Sequence, residues 1–398
     1  MTLANGRTYL AIPGPSVMPE AVLRAMHRSA PNIYEGPLHD MVDTLSRDLP
    51  RIARTEGRVA MYVGNGHAGW EAALANTVGR GDRVLALATG AFGHGWASHA
   101  ETLGLDVERM DFGRRSPVEP DRLAERLAAD DRHEIRAVLA VQVDTATSLR
   151  SDLAAMRAAM DRVGHPALLM VDAIACLGCD RLEMDGWGVD VVVTGSQKGL
   201  MTPPGMAFVF FNERAEAARD RLDQVSAYWD WRPRTRPEIF SQQFCGTAPT
   251  HHLHGLRVAV DMILEEGLEA VWDRHAHLAR AGWTAVERWG HGGPVRLNVA
   301  EPAHRSHAVT TVRVGPPHGL DLRRWVEAKA GVTLGIGLGM QDDSDPRAEG
   351  AFRIGHMGHV NAQMVMGALG AIGAGLAALD VPHGEGALDA AATVLSEA

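Results

Sequence analysis

Short apolar runs rich in valine and leucine alternate with longer helical stretches from residue 59 to residue 211, and no other feature restricts the fold as strongly. Residues 59–63, 83–88, 106–111, 137–143, 167–171, 189–194 and 207–211 read as strands. Residues 69–78, 92–103, 120–128, 153–163 and the polar 212–222 read as helices between and after them. Near-continuous apolar strands separated by helices predict an α/β fold with a mostly parallel sheet covered on both faces. From residue 250 to about 289 the pattern becomes that of long helices. A shorter α+β region follows, with strands expected near 308–314 and 332–334 and helices at 321–328 and 360–379. Residues 231–237 hold two prolines and predict a loop. The expected organisation is an N-terminal arm with a large domain over residues 1–265, then a smaller α+β domain over 266–398.

At 398 residues the chain can bury a large core without disulfides or a structural metal. Lys plus Arg is 39 against 49 for Asp plus Glu, a net charge of −10. That balance, with no long basic block, argues against nucleic acid or an anionic membrane as partner. Three cysteines cannot form a disulfide framework and suit a reducing cytoplasm. The opening residues lack the charged-then-apolar order of a signal peptide. The most apolar charge-free stretch, 365–379, falls short of the ~20 residues needed to cross a bilayer and predicts a packed helix. The expectation is a soluble cytoplasmic protein of enzyme size.

After the first strand comes Gly64-Asn-Gly66-His-Ala-Gly69 and then a helix. This G-x-G-x-x-G order exposes backbone N–H groups at a helix N-terminus to an anion, most often phosphate. A dinucleotide site would also carry an acid at the end of the second strand, which here runs Leu85-Ala-Leu-Ala-Thr-Gly90 without one. The motif therefore predicts a phosphate site and not an NAD site.

Two further strand ends decide the chemistry. Ala167-Leu-Leu-Met-Val-Asp172 closes on one acid, and residues 191–194 lead into Gly195-Ser-Gln-Lys198-Gly. Both residues belong at the C-terminal edge of a parallel sheet, where open α/β folds bind ligands. A lysine in apolar surroundings has a lowered pKa and forms a Schiff base with an aldehyde. An aspartate beside it can hold a pyridine nitrogen protonated, which makes the ring an electron sink. Phosphate loop, aspartate and lysine are together the parts of a pyridoxal phosphate site. Other clusters read as structure. Cys176-Leu-Gly-Cys179 lacks the second pair of a zinc site, and His251-His-Leu-His254 lacks an acidic or cysteine partner nearby, so no metal is expected. The arginines of 232–236 beside Trp229 and Trp231 suit an interface or entrance loop better than nucleic acid.

On these residues the chain resembles the class V aminotransferases of pyridoxal phosphate fold type I, and within them the alanine/serine–glyoxylate branch. The resemblance runs from Ile12-Pro-Gly-Pro15 to Arg353-Ile-Gly-His-Met-Gly358, and Thr194-Gly-Ser-Gln-Lys-Gly-Leu-Met-Thr-Pro-Pro-Gly205 carries it most specifically. It implies Lys198 as the Schiff-base lysine and Asp172 as partner of the pyridine nitrogen. It implies Gly66 and His67 as backbone donors to the phosphate, with Gln197 adding a side-chain contact. Phe92 would stack on the cofactor ring and Thr145 would bond its phenolic oxygen. Thr247, in Cys245-Gly-Thr-Ala-Pro249, matches a segment that the family lends to the phosphate from the partner subunit, which implies a homodimer with shared active sites. Arg353 would grip the substrate carboxylate through its guanidinium fork, with Gly14, Tyr34 and Glu35 on the same substrate side.

The implied activity is transfer of an amino group from serine, alanine or aspartate to a small 2-oxo acid, glyoxylate first, by a ping-pong mechanism. Several positions depart from the family pattern. Tyr34-Glu35-Gly36-Pro37 stands where serine-type enzymes carry an arginine-containing segment. Ser148 replaces a usual glycine, and Phe244 a tyrosine of the phosphate site. An acidic, tyrosine-containing arm also resembles the sister pyridoxamine–pyruvate transaminases, although Leu338 stands where those have an arginine. That activity is the first alternative, and a pyridoxal phosphate lyase is an alternative of another class.

Overall fold

The apolar runs are hydrophobic at nearly every position because helices bury both faces of the sheet they form. The computed structural model describes residues 2–397. Its strands are β1 (Tyr9–Ala11), β2 (Arg58–Gly64), β3 (Arg83–Ala88), β4 (Asp106–Asp111), β5 (Ile135–Val141), β6 (Val143–Asp144), β7 (Leu149–Arg150) and β8 (Leu168–Asp172). They continue with β9 (Val191–Gly195), β10 (Gly205–Phe211), β11 (Arg296–Leu297), β12 (Val309–Arg313), β13 (Val332–Ile336) and β14 (Ala351–Gly355). The large sheet has the order β2-β10-β9-β8-β5-β3-β4. Its pairs are parallel except that β10 runs antiparallel to both neighbours. The expected mostly parallel sheet is therefore present.

Side chains alternate between the two faces with period 2. Val59, Met61, Leu169, Val171 and Phe208 pack into one core, with Leu45 and Leu49 of the helix Pro37–Ala53 and Leu256 of the helix Thr250–Glu266. Ala60, Tyr62, Leu168, Met170 and Val193 pack into the other, against Trp70 of the helix Gly66–Thr77 and Trp96 of the helix Ala91–Thr102.

A second sheet has the order β1-β13-β14-β12-β11. It builds its own core with the helices Leu268–Gly290, His318–Ala330 and Ala362–Ala378, through Trp289, Val326, Phe352 and Ile372. The last of these helices contains the apolar stretch 365–379 up to its final residue, Leu379, which caps it, and among the described residues no helix is long and apolar enough to cross a membrane. The long helices meet at Gly267, beside the expected boundary, and we propose this as the junction of the two units. Strand β1 crosses it, pairing in parallel with β13.

Three local differences from expectation have simple causes. Residues 231–237 are not wholly loop: Arg232–Thr235 is one helical turn, which tolerates Pro233 in its first positions because no helical N–H is needed there. The strand expected over 137–143 ends at Val141, and β6 pairs instead with β7 as a small hairpin. Strand β14 was not expected; it is short and bounded by Gly350 and Gly355, so its period is hard to see.

Lys198 owes its place to tight backbone packing. A Cβ on Gly199 would lie 2.1 Å from the carbonyl oxygen of Leu177 and 3.0 Å from Cys179 Sγ. The Cys176–Cys179 turn is thus the wall behind the lysine, and both cysteines are fully buried there. Gly199→Ala is expected to destabilise the protein by about 1–3 kcal/mol through overpacking. Gly367, inside the helix Ala362–Ala378, has nothing within 4 Å of an added Cβ. Gly367→Ala is expected to be neutral or to stabilise by up to about 1 kcal/mol. Chemical denaturation of both variants checks the contrast, and equal effects would contradict it.

Candidate active site

Strands β8 and β9 are parallel neighbours, so their C-terminal ends deliver Asp172 and the turn of Lys198 to one edge of the sheet. A cavity of about 170 Å³ opens there. Gly66, His67, Phe92, Thr145, Asp172, Gln197 and Lys198 all line it, joined by Asn65, Trp70, Val143, Ile174 and Ala175. Seven of the eight residues assigned to the cofactor from sequence therefore share one cavity. The eighth, Thr247, is exposed and outside it, as are Glu35 and Tyr34, the latter 85% exposed. A larger groove of about 1150 Å³, bordered by Arg114, Arg313 and Asp342, contains none of the candidate residues.

Asp172 is 3% exposed, and burial pushes its carboxyl up to about 7. Two donors work against that shift: Ile174 N–H to Oδ1 at 2.7 Å and the Trp70 indole N–H to Oδ2 at 2.9 Å. No cation is hydrogen-bonded to it among the described residues. Lys198 is half-buried, and the loss of water around its amine pulls it down to about 8, with the charge of Arg353 adding to the effect. The amine donates to the carbonyl of Pro13. Gly14 follows, and a Cβ there would come within 2.5 Å of Lys198 Nζ, so only glycine admits this approach. Ser16 fixes the same turn twice, its N–H bonding Gln197 O at 2.9 Å and its hydroxyl bonding Lys198 O at 2.7 Å.

The phosphate end is a helix N-terminus. Asn65 caps the helix Gly66–Thr77, and its Oδ1 accepts from the N–H groups of His67 at 3.1 Å and Ala68 at 3.4 Å. The His67 N–H, which the resemblance offers to the phosphate, is taken in this arrangement by the Asn65 side chain, so an anion would compete with that cap. Gln197 Oε1 is buried without a hydrogen-bond partner.

Arg353 lies on β14 and is 7% exposed, so it is not a solvated surface residue. Its Nε donates to Ile336 O at 2.7 Å and its Nη1 to Thr145 O at 3.0 Å. Burial lowers its pKa to about 10, against the nearby charge of Asp144. Its Nη2 makes no hydrogen bond among the described residues and stays available to another acceptor.

Sequence reasoning missed Asp144, Trp70 and Asn65. Asp144 is fully buried and ties the Phe92 loop in place, accepting from Phe92 N–H at 2.8 Å, Gly93 N–H at 3.2 Å and Ala146 N–H at 3.0 Å. A charged residue directly before Thr145 at the end of an apolar run was its signal. Trp70 gave none beyond its place four residues after Gly66. Among the departures, Ser148 adopts φ +60° and its hydroxyl bonds Thr147 O at 2.6 Å while accepting from Thr311 N–H at 3.1 Å. Phe244 is 1% exposed and packs in the core. One further sequence signal is the lysine count: the chain has two, Lys198 and Lys329, and Lys329 is exposed on the helix His318–Ala330.

Comparison with known proteins agrees with this geometry. The family profile of Aminotransferase class-V matches residues 8–340. The serine–glyoxylate aminotransferase of Methylorubrum extorquens is 35% identical over 377 residues, covering 92% of this chain and 90% of that protein. The L-aspartate–glyoxylate aminotransferase of Paracoccus denitrificans is 36% identical over 389 residues, covering 92% and 94%. Among solved structures, the pyridoxamine–pyruvate aminotransferase of Mesorhizobium loti superposes with a TM-score of 0.88 at 26% identity over 100% of both chains. Family profile, curated relatives and fold point the same way: the chain belongs to the class-V aminotransferases.

Proposed function

We propose that the protein is a pyridoxal-phosphate-dependent aminotransferase that moves the amino group of a small amino acid (serine, alanine or aspartate) to glyoxylate. The observation that carries this reading is the pairing, in one cavity, of a half-buried lysine whose amine is lowered to about 8 with a buried carboxylate that lacks a bonded cation. The cofactor fits the residues present. Its pyridine N–H would supply the cation that Asp172 lacks, and its phosphate would meet the Gly66 N–H and the side-chain NH2 of Gln197, both of which line the cavity. Phe92 would cover a ring face and Thr145 would bond the phenolic oxygen. Bound there, pyridoxal phosphate supplies an aldehyde for amines and a ring that accepts electrons from Cα.

The protein's own part is positioning and proton transfer. Arg353 receives the substrate carboxylate. Lys198, displaced as an amine, takes the Cα proton and returns it one step later as general base and acid. Asp172 keeps a proton on the ring nitrogen. The small donor and glyoxylate come from the relatives named as serine– and aspartate–glyoxylate aminotransferases. A homodimer is part of the reading, supported by the exposure of Tyr34, Glu35 and Thr247, which a partner subunit would bring to its neighbour's site. Cytoplasmic placement is supported by three free cysteines.

Half-reactions followed by cofactor absorbance test the substrates. Serine, alanine or aspartate is expected to discharge the absorbance and glyoxylate to restore it, with Lys198→Ala slower by about 10²–10⁴-fold. Turnover of pyridoxamine with pyruvate, and none with amino acids, would transfer the protein to the sister activity. The pH dependence of cofactor uptake follows from the same two groups. In the cofactor-free chain Asp172 must be ionised and Lys198 free of its extra proton, and their values of about 7 and about 8 place the two transitions at and just above neutrality. The rate at which the cofactor-free protein takes up pyridoxal phosphate is expected to rise from pH 6.5 to 9, and a rate falling over that interval contradicts the roles.

A further inference from the structure

Trp70 has no part in the mechanism above, yet it is 0% exposed and its indole meets the acid of the site. It lies in the helix Gly66–Thr77, while Asp172 ends β8, so two separate elements meet in one buried hydrogen bond of 2.9 Å. Trp96 Nε1 and Trp231 Nε1 are buried without any hydrogen bond, and Trp283 Nε1 donates to a neutral hydroxyl, Thr310 Oγ1 at 3.1 Å, so the bond of Trp70 to a carboxylate is not a general property of the buried indoles. The Trp70 ring is held on several sides. It stacks on Trp96 at 6.0 Å and 14°, and the rings of His67 and Phe92 meet it edge-on at 4.5 Å and 6.4 Å. A ring so confined cannot turn its N–H elsewhere.

We propose that Trp70 is a positioning residue that acts through Asp172, fixing the carboxylate so that one oxygen lone pair stays aimed into the cavity at a ring N–H. This rests on the cofactor reading given above. With Ile174 N–H on Oδ1 and the indole on Oδ2, both oxygens are anchored by donors that only accept-type partners satisfy. Both bonds are stronger to a carboxylate than to a neutral carboxyl, so the pair favours the anion against the effect of burial. The charged groups facing Asp172 are Asp144, which opposes ionisation, and Lys198, which favours it, and neither is hydrogen-bonded to it. The indole also abuts His67, so one rigid ring registers the phosphate end of the cavity against its acid end.

Trp70→Phe keeps an aromatic ring between Trp96 and His67 and removes only the donor. Equilibrium binding is measured for pyridoxal phosphate and for an analogue with carbon in place of the ring nitrogen. The variant is expected to bind pyridoxal phosphate about tenfold more weakly and the analogue within about twofold of the unaltered protein. In Asp172→Asn the same Trp70→Phe change is expected to have little further effect, because the two act as a unit. Equal weakening of both ligands marks a structural role and overturns the proposal, as does unchanged affinity for pyridoxal phosphate. If the unaltered protein binds no pyridoxal phosphate, the functional reading fails before the variants are compared. A measurement independent of the Trp70 variant uses ¹⁵N-tryptophan labelling of the cofactor-free protein. One of the nine indole N–H resonances is expected to shift on Asp172→Asn, and nine unmoved resonances overturn the proposal.

Discussion

A carboxylate buried at the end of an apolar strand is the constraint on which the site depends. Removing an ion from water costs several kcal/mol unless hydrogen bonds and an opposite charge offset it. Burial pushes the Asp172 carboxyl up to about 7, its two N–H donors work against that shift, and no cation is bonded to it. The fold tolerates the arrangement because β8 is held between β5 and β9, with its residues fully packed on both faces. That same pairing places the Lys198 turn on the adjacent strand end. Burial thus shifts both groups toward their neutral forms, the acid upward and the amine downward.

The second sheet matters to the chemistry through one side chain. Arg353 stands on β14 between β12 and β13, opposite Thr311 and Gly335. Its guanidinium bonds Ile336 O within its own sheet and Thr145 O in the large unit, so it is set by both. The segment from Pro13 to Ser16 lies against these parts: Pro13 O receives the lysine amine, and a Cβ on Gly335 would meet Pro13 Cδ at 2.8 Å. Three distant stretches of chain therefore define the room left for a substrate.

Much of this was legible because it is local. Strand-then-acid and strand-then-lysine patterns marked Asp172 and Lys198, and the capped glycine motif marked the phosphate end. Burial on both faces wrote the large sheet into near-continuous apolar runs. The helix Pro37–Ala53 was readable but went unread: Leu38, Val42, Leu45, Leu49 and Ile52 follow helical spacing. What the pattern could not carry was long-range contact. Trp70 and Asp172 are 102 residues apart, and nothing in either neighbourhood names the other. Asp144 serves the backbone of Phe92 from 52 residues away, and its place at the end of an apolar run marks the residue but not that partner. Tyr34, Glu35 and Thr247 were inferred by resemblance alone, and in a single chain they stay at the surface.

The central claim is that Lys198 is the lysine that bonds the cofactor aldehyde. With two lysines in 398 residues, it can be tested at the level of a single peptide. Protein loaded with pyridoxal phosphate is reduced with borohydride, digested and mapped by mass. The account predicts a phosphopyridoxyl adduct on Lys198 at near one per chain and none on the exposed Lys329. An adduct on Lys329 alone, or on neither lysine, would contradict it.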